Sequence, residues 1–220
     1  MTQSMIIGVM TTEIVEPPKR RRGRPLAFNR AQAIRDAMTL FWERGYEGTS
    51  FDDLINAMGI SPSTFYNSFG NKEAVYKEAT DFYLTESSEW FLAALANAPD
   101  AKTAFIQLIE ATAAQFTRDD LPAGCMISLA GTHLSPAYVS VRSMMSAHRA
   151  TSESALVARL REGMEAGDVP QGTDIEALGA FFSALFRGMA VQARDGASRA
   201  RVLEIGHLGM RAWPESTKQS

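Results

Sequence analysis

The sequence predicts an all-α protein in which three short N-terminal helices form a head and a longer helical stretch forms a body. Three observations predict it. Apolar residues recur at helical spacing through most of the chain, and no stretch alternates as a strand would. Capping and stop residues stand at the ends of those stretches. The 220 residues also suffice for a small domain plus a larger one with its own core.

Residues 1–28 lack periodicity and contain Pro17, Pro18, Gly23 and Pro25, so a flexible basic arm is expected there. The head follows over residues 29–75. Asn29 can cap its first helix, Ile34, Ala37, Met38 and Phe41 form one apolar stripe, and Gly45 stops it. A second helix over residues 50–58 starts from Thr49 or Ser50 and turns Phe51, Leu54, Ile55 and Met58 inward. Gly59 can take the positive φ that ends a helix, Ser61 can cap the next, and Pro62 suits a first helical position. The third helix is therefore short, with Phe65 and Phe69 facing a core rather than stacking on bases, and Ser61, Ser63, Thr64 and Asn67 facing outward. Two helices with a tight glycine turn make a helix-turn-helix.

The body is expected over residues 76–214, with 215–220 as a tail. A long helix runs from Asn71 to near Pro99 and joins head to body. A helix from Asp100 or Lys102 to Phe116 repeats Phe105, Leu108, Ile109, Thr112 and Phe116 at helical spacing. A short helix is expected over residues 123–134, a long one from Ser135-Pro136 to Gly167, and two more over residues 174–194 and 197–213, parted by Gly196.

The net charge of −3 is unevenly spread. Residues 19–24 are basic at every position but Gly23, while the body is acidic, which places phosphate attraction at the arm and argues against a second nucleic-acid site. The single cysteine, Cys125, excludes an internal disulfide framework and a thiol-built zinc site. His133, His148 and His207 are too scattered for metal-ligand spacing, so neither metal nor cofactor is expected. No triad, paired acids on one helix or phosphate loop suggests an enzyme. With no run near the ~18 apolar residues of a membrane span and no export signal, the expected location is cytoplasmic, away from membrane.

The outward tip of the third helix suits a groove of duplex DNA. Ser61, Ser63, Thr64 and Asn67 are base-edge candidates, and the absence of arginine there removes the bidentate contact to guanine. Thr49 or Ser50, at a helix start, can meet a phosphate. Arg22 and Arg24 form a hook suited to a narrow minor groove, or to general phosphate attraction.

These residues resemble the TetR family of bacterial transcriptional repressors. The likeness runs from Ala33 to Val75 through Phe41, Gly45, Tyr46, Thr49, Ser50, Ile55, Ala57, Gly59, Ile60, Ser61, Thr64, Phe65, Tyr66, Phe69, Lys72 and Glu73, about a fifth of the chain. It implies that Tyr66 and Lys72 clamp the DNA backbone and that the last two long helices form a four-helix homodimer interface. There Ala177, Ala180, Phe181, Ala184, Leu185 and Gly188 permit close packing, between protomers or within one. Two heads would then meet successive major-groove faces about 34 Å apart.

The body is expected to sense a small hydrophobic effector. Trp90, Phe91, Ile109, Phe116, Met126, Met145 and Phe182 are the candidate lining residues, and His133 is a candidate polar donor or a merely structural histidine. Cys125 reads either as a small buried hydrophobe or as a redox- or electrophile-sensing thiol. The leading expectation is a ligand-released repressor on operator DNA. The alternatives are a thiol sensor acting through Cys125 and an architectural DNA binder with no ligand.

Overall fold

The structure, a computed structural model, describes residues 28–132 and 134–215. Among them all regular structure is helical. In the head, α1 (Arg30–Arg44), α2 (Phe51–Met58) and α3 (Pro62–Phe69) start at Asn29, Ser50 and Ser61, whose side chains each accept a hydrogen bond from the backbone amide three residues on. Each such cap satisfies an amide that the helix itself leaves unpaired. Gly59, at φ 64° and ψ 32°, is left-handed, and its neighbour Ile60 donates back to the Ile55 carbonyl. That closes α2 and redirects the chain within three residues.

The 25-residue α4 (Lys72–Ala96) leaves the head, capped by Asn71, and continues into the body. It packs on α1 of the head and on α5 (Ala101–Phe116) of the body. The helix expected over residues 123–134 contracts to one turn, α6 (Met126–Leu129). Glycines on both sides explain the difference: Gly124 and Gly131 hold φ of 83° and 78°, and the Gly124 amide turns back onto the Phe116 carbonyl at 2.8 Å. A Cβ on Gly124 would also stand 2.6 Å from the Ala190 carbonyl oxygen, so only glycine admits the backbone of residue 190 this close.

After a 3₁₀ turn at Pro136–Tyr138, α7 (Val139–Ala166) runs 28 residues to a left-handed Gly167. The amides of Asp168 and Val169 both return to the Gly163 carbonyl, closing its last turn. Then come α8 (Ile175–Arg194), capped by Asp174, and α9 (Arg199–Gly209), capped by Ser198. The last helix is shorter than expected at both ends, because Ser198 supplies the cap and residues 210–212 tighten into a 3₁₀ turn.

Two apolar clusters hold the fold. One contains Phe41, Leu54, Phe65, Phe69 and Tyr76 of the head region, and it extends through Tyr83 to Met126, Ile127, Val141 and Met145 of the body. The other joins α5, α7, α8 and α9 around Phe105, Leu108, Ile109, Phe182 and Trp213. Gly206 lets α9 lie directly on Ile109 of α5. No helix among the described residues is long and apolar enough to cross a membrane.

Candidate nucleic-acid interface and body cavity

At the head, the polar tip of α3 is exposed at Ser61, Ser63 and Asn67, while Thr64 is half-buried. The Ser61 hydroxyl is 2.9 Å from both the Ser63 and Thr64 hydroxyls and accepts from the Thr64 amide at 3.2 Å. One cap thus gathers three hydroxyls at the start of the helix, where backbone amides point outward. Phe65 and Phe69 are buried beneath it. Tyr66 is 58% exposed, its ring lying on Phe51 at 5.3 Å with 21° between planes. This stacking fixes an exposed phenol beside α2.

The residues expected to meet phosphate divide. Ser50 is exposed and forms a capping box with Asp53, whose carboxylate accepts from the Ser50 amide at 3.0 Å and from its hydroxyl at 2.7 Å. Those Ser50 bonds, with the Arg44 guanidinium at 3.0 Å adding to them, hold the Asp53 carboxyl below its usual range. Thr49 does not share that exposure, and its expected phosphate contact is corrected: it is fully buried and its hydroxyl donates to the Gly45 carbonyl at 2.8 Å. It closes the turn after α1 instead. Lys72, half-buried at the start of α4, holds its ammonium 4.4 Å from the Tyr46 ring centre, and burial lowers its pKa. Arg22 and Arg24 lie outside the described residues, as does His133.

In the body, α4, α5, α6, α7 and α8 line a cavity of about 450 Å³. Trp90, Phe91 and Phe116 line it, and Trp90 meets Phe116 edge-on at 6.5 Å. The other four expected lining residues do not: Ile109, Met126, Met145 and Phe182 are fully or almost fully buried in the two clusters. Apolar residues at helical spacing serve a core or a cavity equally well, and here packing absorbs these four. Ile109 in particular is covered by α9 at Gly206.

Cys125 is at the cavity wall, half-buried. The Tyr83 hydroxyl donates to its sulfur at 3.2 Å, and the Ser128 amide does so at 3.4 Å. Burial pushes the Tyr83 phenol well above its ordinary pKa, so at neutral pH it remains a donor. Tyr83 also packs edge-on against Trp42 of α1 at 5.0 Å. One side chain therefore touches both the cavity and the head.

Sequence pattern alone did not point to the polar half of the cavity: Thr112, His148, Arg149, Ser152, Ser183 and Arg187. Their signal was present. His148, Arg149, Ser152, Ala155 and Leu156 fall on one face of α7, which places a cationic group beside apolar ones. Arg149 donates through Nη1 to the Ile127 and Ala130 carbonyls at 3.2 and 2.7 Å, tying the short α6 to α7. Burial, and then the neighbouring Arg187, lower its pKa. Arg187 bonds the Ser183 hydroxyl at 2.8 Å and the Glu153 carboxylate at 3.2 Å.

A helix-turn-helix whose second helix turns a polar tip to solvent, joined by one long helix to a body with a ligand-sized cavity, defines a class: the ligand-responsive DNA-binding transcriptional regulators. The profile described as "Bacterial regulatory proteins, tetR family" matches residues 33–79, and that of "Tetracyclin repressor-like, C-terminal domain" matches residues 103–204. The chain is 33% identical over 210 residues to the HTH-type transcriptional repressor ComR of Escherichia coli (strain K12), covering 95% of this chain and 100% of that protein. It also resembles a solved cysteine mutant of the TetR family transcriptional regulator CifR, complexed with 26-base-pair double-strand operator DNA. That likeness has 38% identity and a TM-score of 0.84, over 87% of this chain and 100% of the other. A TetR regulator from Chloroflexus aurantiacus shares the fold at a TM-score of 0.74, with 20% identity over 82% of this chain and 91% of that one. The chain belongs to the TetR family of transcriptional regulators.

Proposed function

We propose that this protein is a repressor that holds its operator as a homodimer and is released when a small hydrophobic molecule enters the body cavity. The observation that carries this reading is Tyr83, which lines the cavity and packs on Trp42 of the head. A molecule that displaces Tyr83 presses on α1 and α4 together and so alters the spacing of the two heads. To weaken operator binding ~100-fold, it must favour the released state by roughly 2.7 kcal/mol. Repression by ComR and operator binding by CifR support the same role here.

In this reading Ser61, Ser63, Thr64 and Asn67 meet base edges, while Ser50, Tyr66 and Lys72 hold phosphates, with Arg22 and Arg24 reaching from the arm. The homodimer forms through α8 and α9. Ala177, Ala180, Phe181, Ala184, Gly188 and Val191 are exposed along one face of α8, and Leu208 is exposed on α9. An apolar and small-residue face of this kind suits close helix packing between protomers.

Selection of bound duplexes from a random pool tests the reading. Enrichment of a two-fold-symmetric site is expected, with half-sites spaced by whole helical turns. Enrichment of nothing but bendable sequence without symmetry would favour an architectural binder and sink the repressor.

A second reading rests on Cys125, whose sulfur faces the cavity and carries the Tyr83 hydroxyl. Oxidation or alkylation there would break that hydrogen bond at the residue that touches Trp42. If this reading holds, Cys125→Ser abolishes release of operator by peroxide and by electrophiles while leaving DNA affinity intact. Unchanged release in that variant removes the thiol from the mechanism.

A further inference from the structure

The cavity has a charge composition that an apolar effector does not explain. Among the described residues lining it are two arginines and one histidine, and no aspartate or glutamate. Arg187 has a counter-charge in Glu153. Arg149 has no ion pair among the described residues: its Nη1 hydrogens go to the Ile127 and Ala130 carbonyls, and after burial it is Arg187, a second cation, that lowers its pKa. Its Nε and Nη2 have no hydrogen-bond partner among the described residues.

This arrangement has a definite chemistry. The two carbonyls fix the guanidinium plane, so the free Nε and Nη2 edges form a pre-oriented pair of parallel donors, the fork that matches a carboxylate. A half-buried cation without an anion is unfavourable. An incoming carboxylate would relieve that cost. Thr112, Ser152 and Ser183 also line the cavity, from α5, α7 and α8, and Trp90, Phe91, Phe116 and Phe186 supply the apolar remainder. The volume of about 450 Å³ falls in the range of roughly 300–1,000 Å³ typical of small-molecule sites.

We propose that the cavity selects an amphipathic monocarboxylate, a medium-length alkyl or aryl chain whose carboxylate sits on Arg149 and whose chain lies among the aromatic rings. This deepens the effector reading above and rests on it. Neutral molecules of the same chain length leave Arg149 uncompensated, and amines meet it as a like charge.

Calorimetric titration of the full-length protein with octanoate, octanol and octylamine tests the proposal, with operator release followed in parallel. Octanoate is expected to bind at least about tenfold more tightly than octanol, the scale of a hydrogen bond to a charged group, and octylamine more weakly than either. Arg149→Gln keeps donors for the α6 carbonyls and is expected to lower octanoate affinity at least about tenfold with octanol unchanged. Arg149→Lys, which lacks the fork, should recover only part of it. Because the comparison among the three probes uses the unaltered protein, it stands even if a variant at Arg149 does not fold. Octanol binding and releasing operator as well as octanoate would overturn the anion proposal while leaving the effector cavity intact. Binding of none of the three would overturn both.

Discussion

Lys72 holds its ammonium against the Tyr46 ring at the start of α4, and Tyr66 lies on Phe51 one turn before the end of α3. Both are held by aromatic packing, so in the proposed complex they would meet DNA as positioned groups and not as free tethers. Lys72→Ala is expected to reduce the slope of log affinity against log salt by about 0.9 for each phosphate left without its cation, or about 1.8 for two heads. Tyr66→Phe should weaken binding with the slope unchanged, since it removes a neutral hydroxyl. Filter binding across a salt series distinguishes the two. A further expectation concerns Tyr76, which is buried and has its pKa raised to about 12 from 10.0. The unfolded phenol ionises first, so the stability it supports is present below pH about 10 and is lost as pH rises toward 12. Urea denaturation of Tyr76→Phe should show a shallower loss between pH about 9 and about 12. Tyr46 and Tyr83, also raised by burial, keep part of that dependence. At this scale the sequence was legible where a residue acts on its own backbone, as Asn29, Ser50 and Ser61 do. It was not legible at Thr49, whose partner is a carbonyl exposed only once α1 has ended, nor at Arg149, which reads as an ordinary surface arginine until α6 folds beneath it.

Among the elements, the turn at Gly59 and the crossing at Gly206 need glycine for different reasons. Gly59 has open space around its would-be Cβ, so substitution costs only the left-handed backbone. Gly59→Ala is expected to lower stability by about 1–2 kcal/mol and Gly59→Asn by less, measured by equilibrium denaturation. At Gly206 the cost is steric, against Ile109. The helices with strong caps and a regular stripe were legible within one or two residues, as α1 and α8 illustrate. α6 was not, because its length is set by Gly124 meeting the α8 backbone and by Arg149 bonding its carbonyls, contacts between segments far apart in sequence. The cavity suffered likewise. Phe116 and Ile109 lie two turns apart on α5 with similar chemistry, yet one lines the cavity and the other is sealed by α9.

For the whole molecule, the exposed apolar row on α8 makes a sharp expectation. Phe181, 41% exposed, should tolerate Phe181→Glu without loss of helical content, yet the charge would be buried against a partner protomer. Sedimentation should show monomers at concentrations where the unaltered protein pairs, with operator affinity falling accordingly. A monomer–dimer balance unmoved by this change would place the interface elsewhere. The architecture, three capped helices with a glycine turn and then a larger helical body, was readable from pattern alone; the polar lining of the cavity was not, since it depends on which side chains folding brings together.

The apolar cluster that begins at Phe41 and Phe65 does not stop where the reading head stops; it ends on Met126, Ile127, Val141 and Met145. An excised fragment of residues 29–75 would forfeit part of its own interior and should melt far below the intact chain. The same continuity has a genetic meaning. Colonies selected for unregulated expression should yield lesions at those four positions, where a cut methyl or an added charge would loosen the grip on promoter DNA without touching a single base.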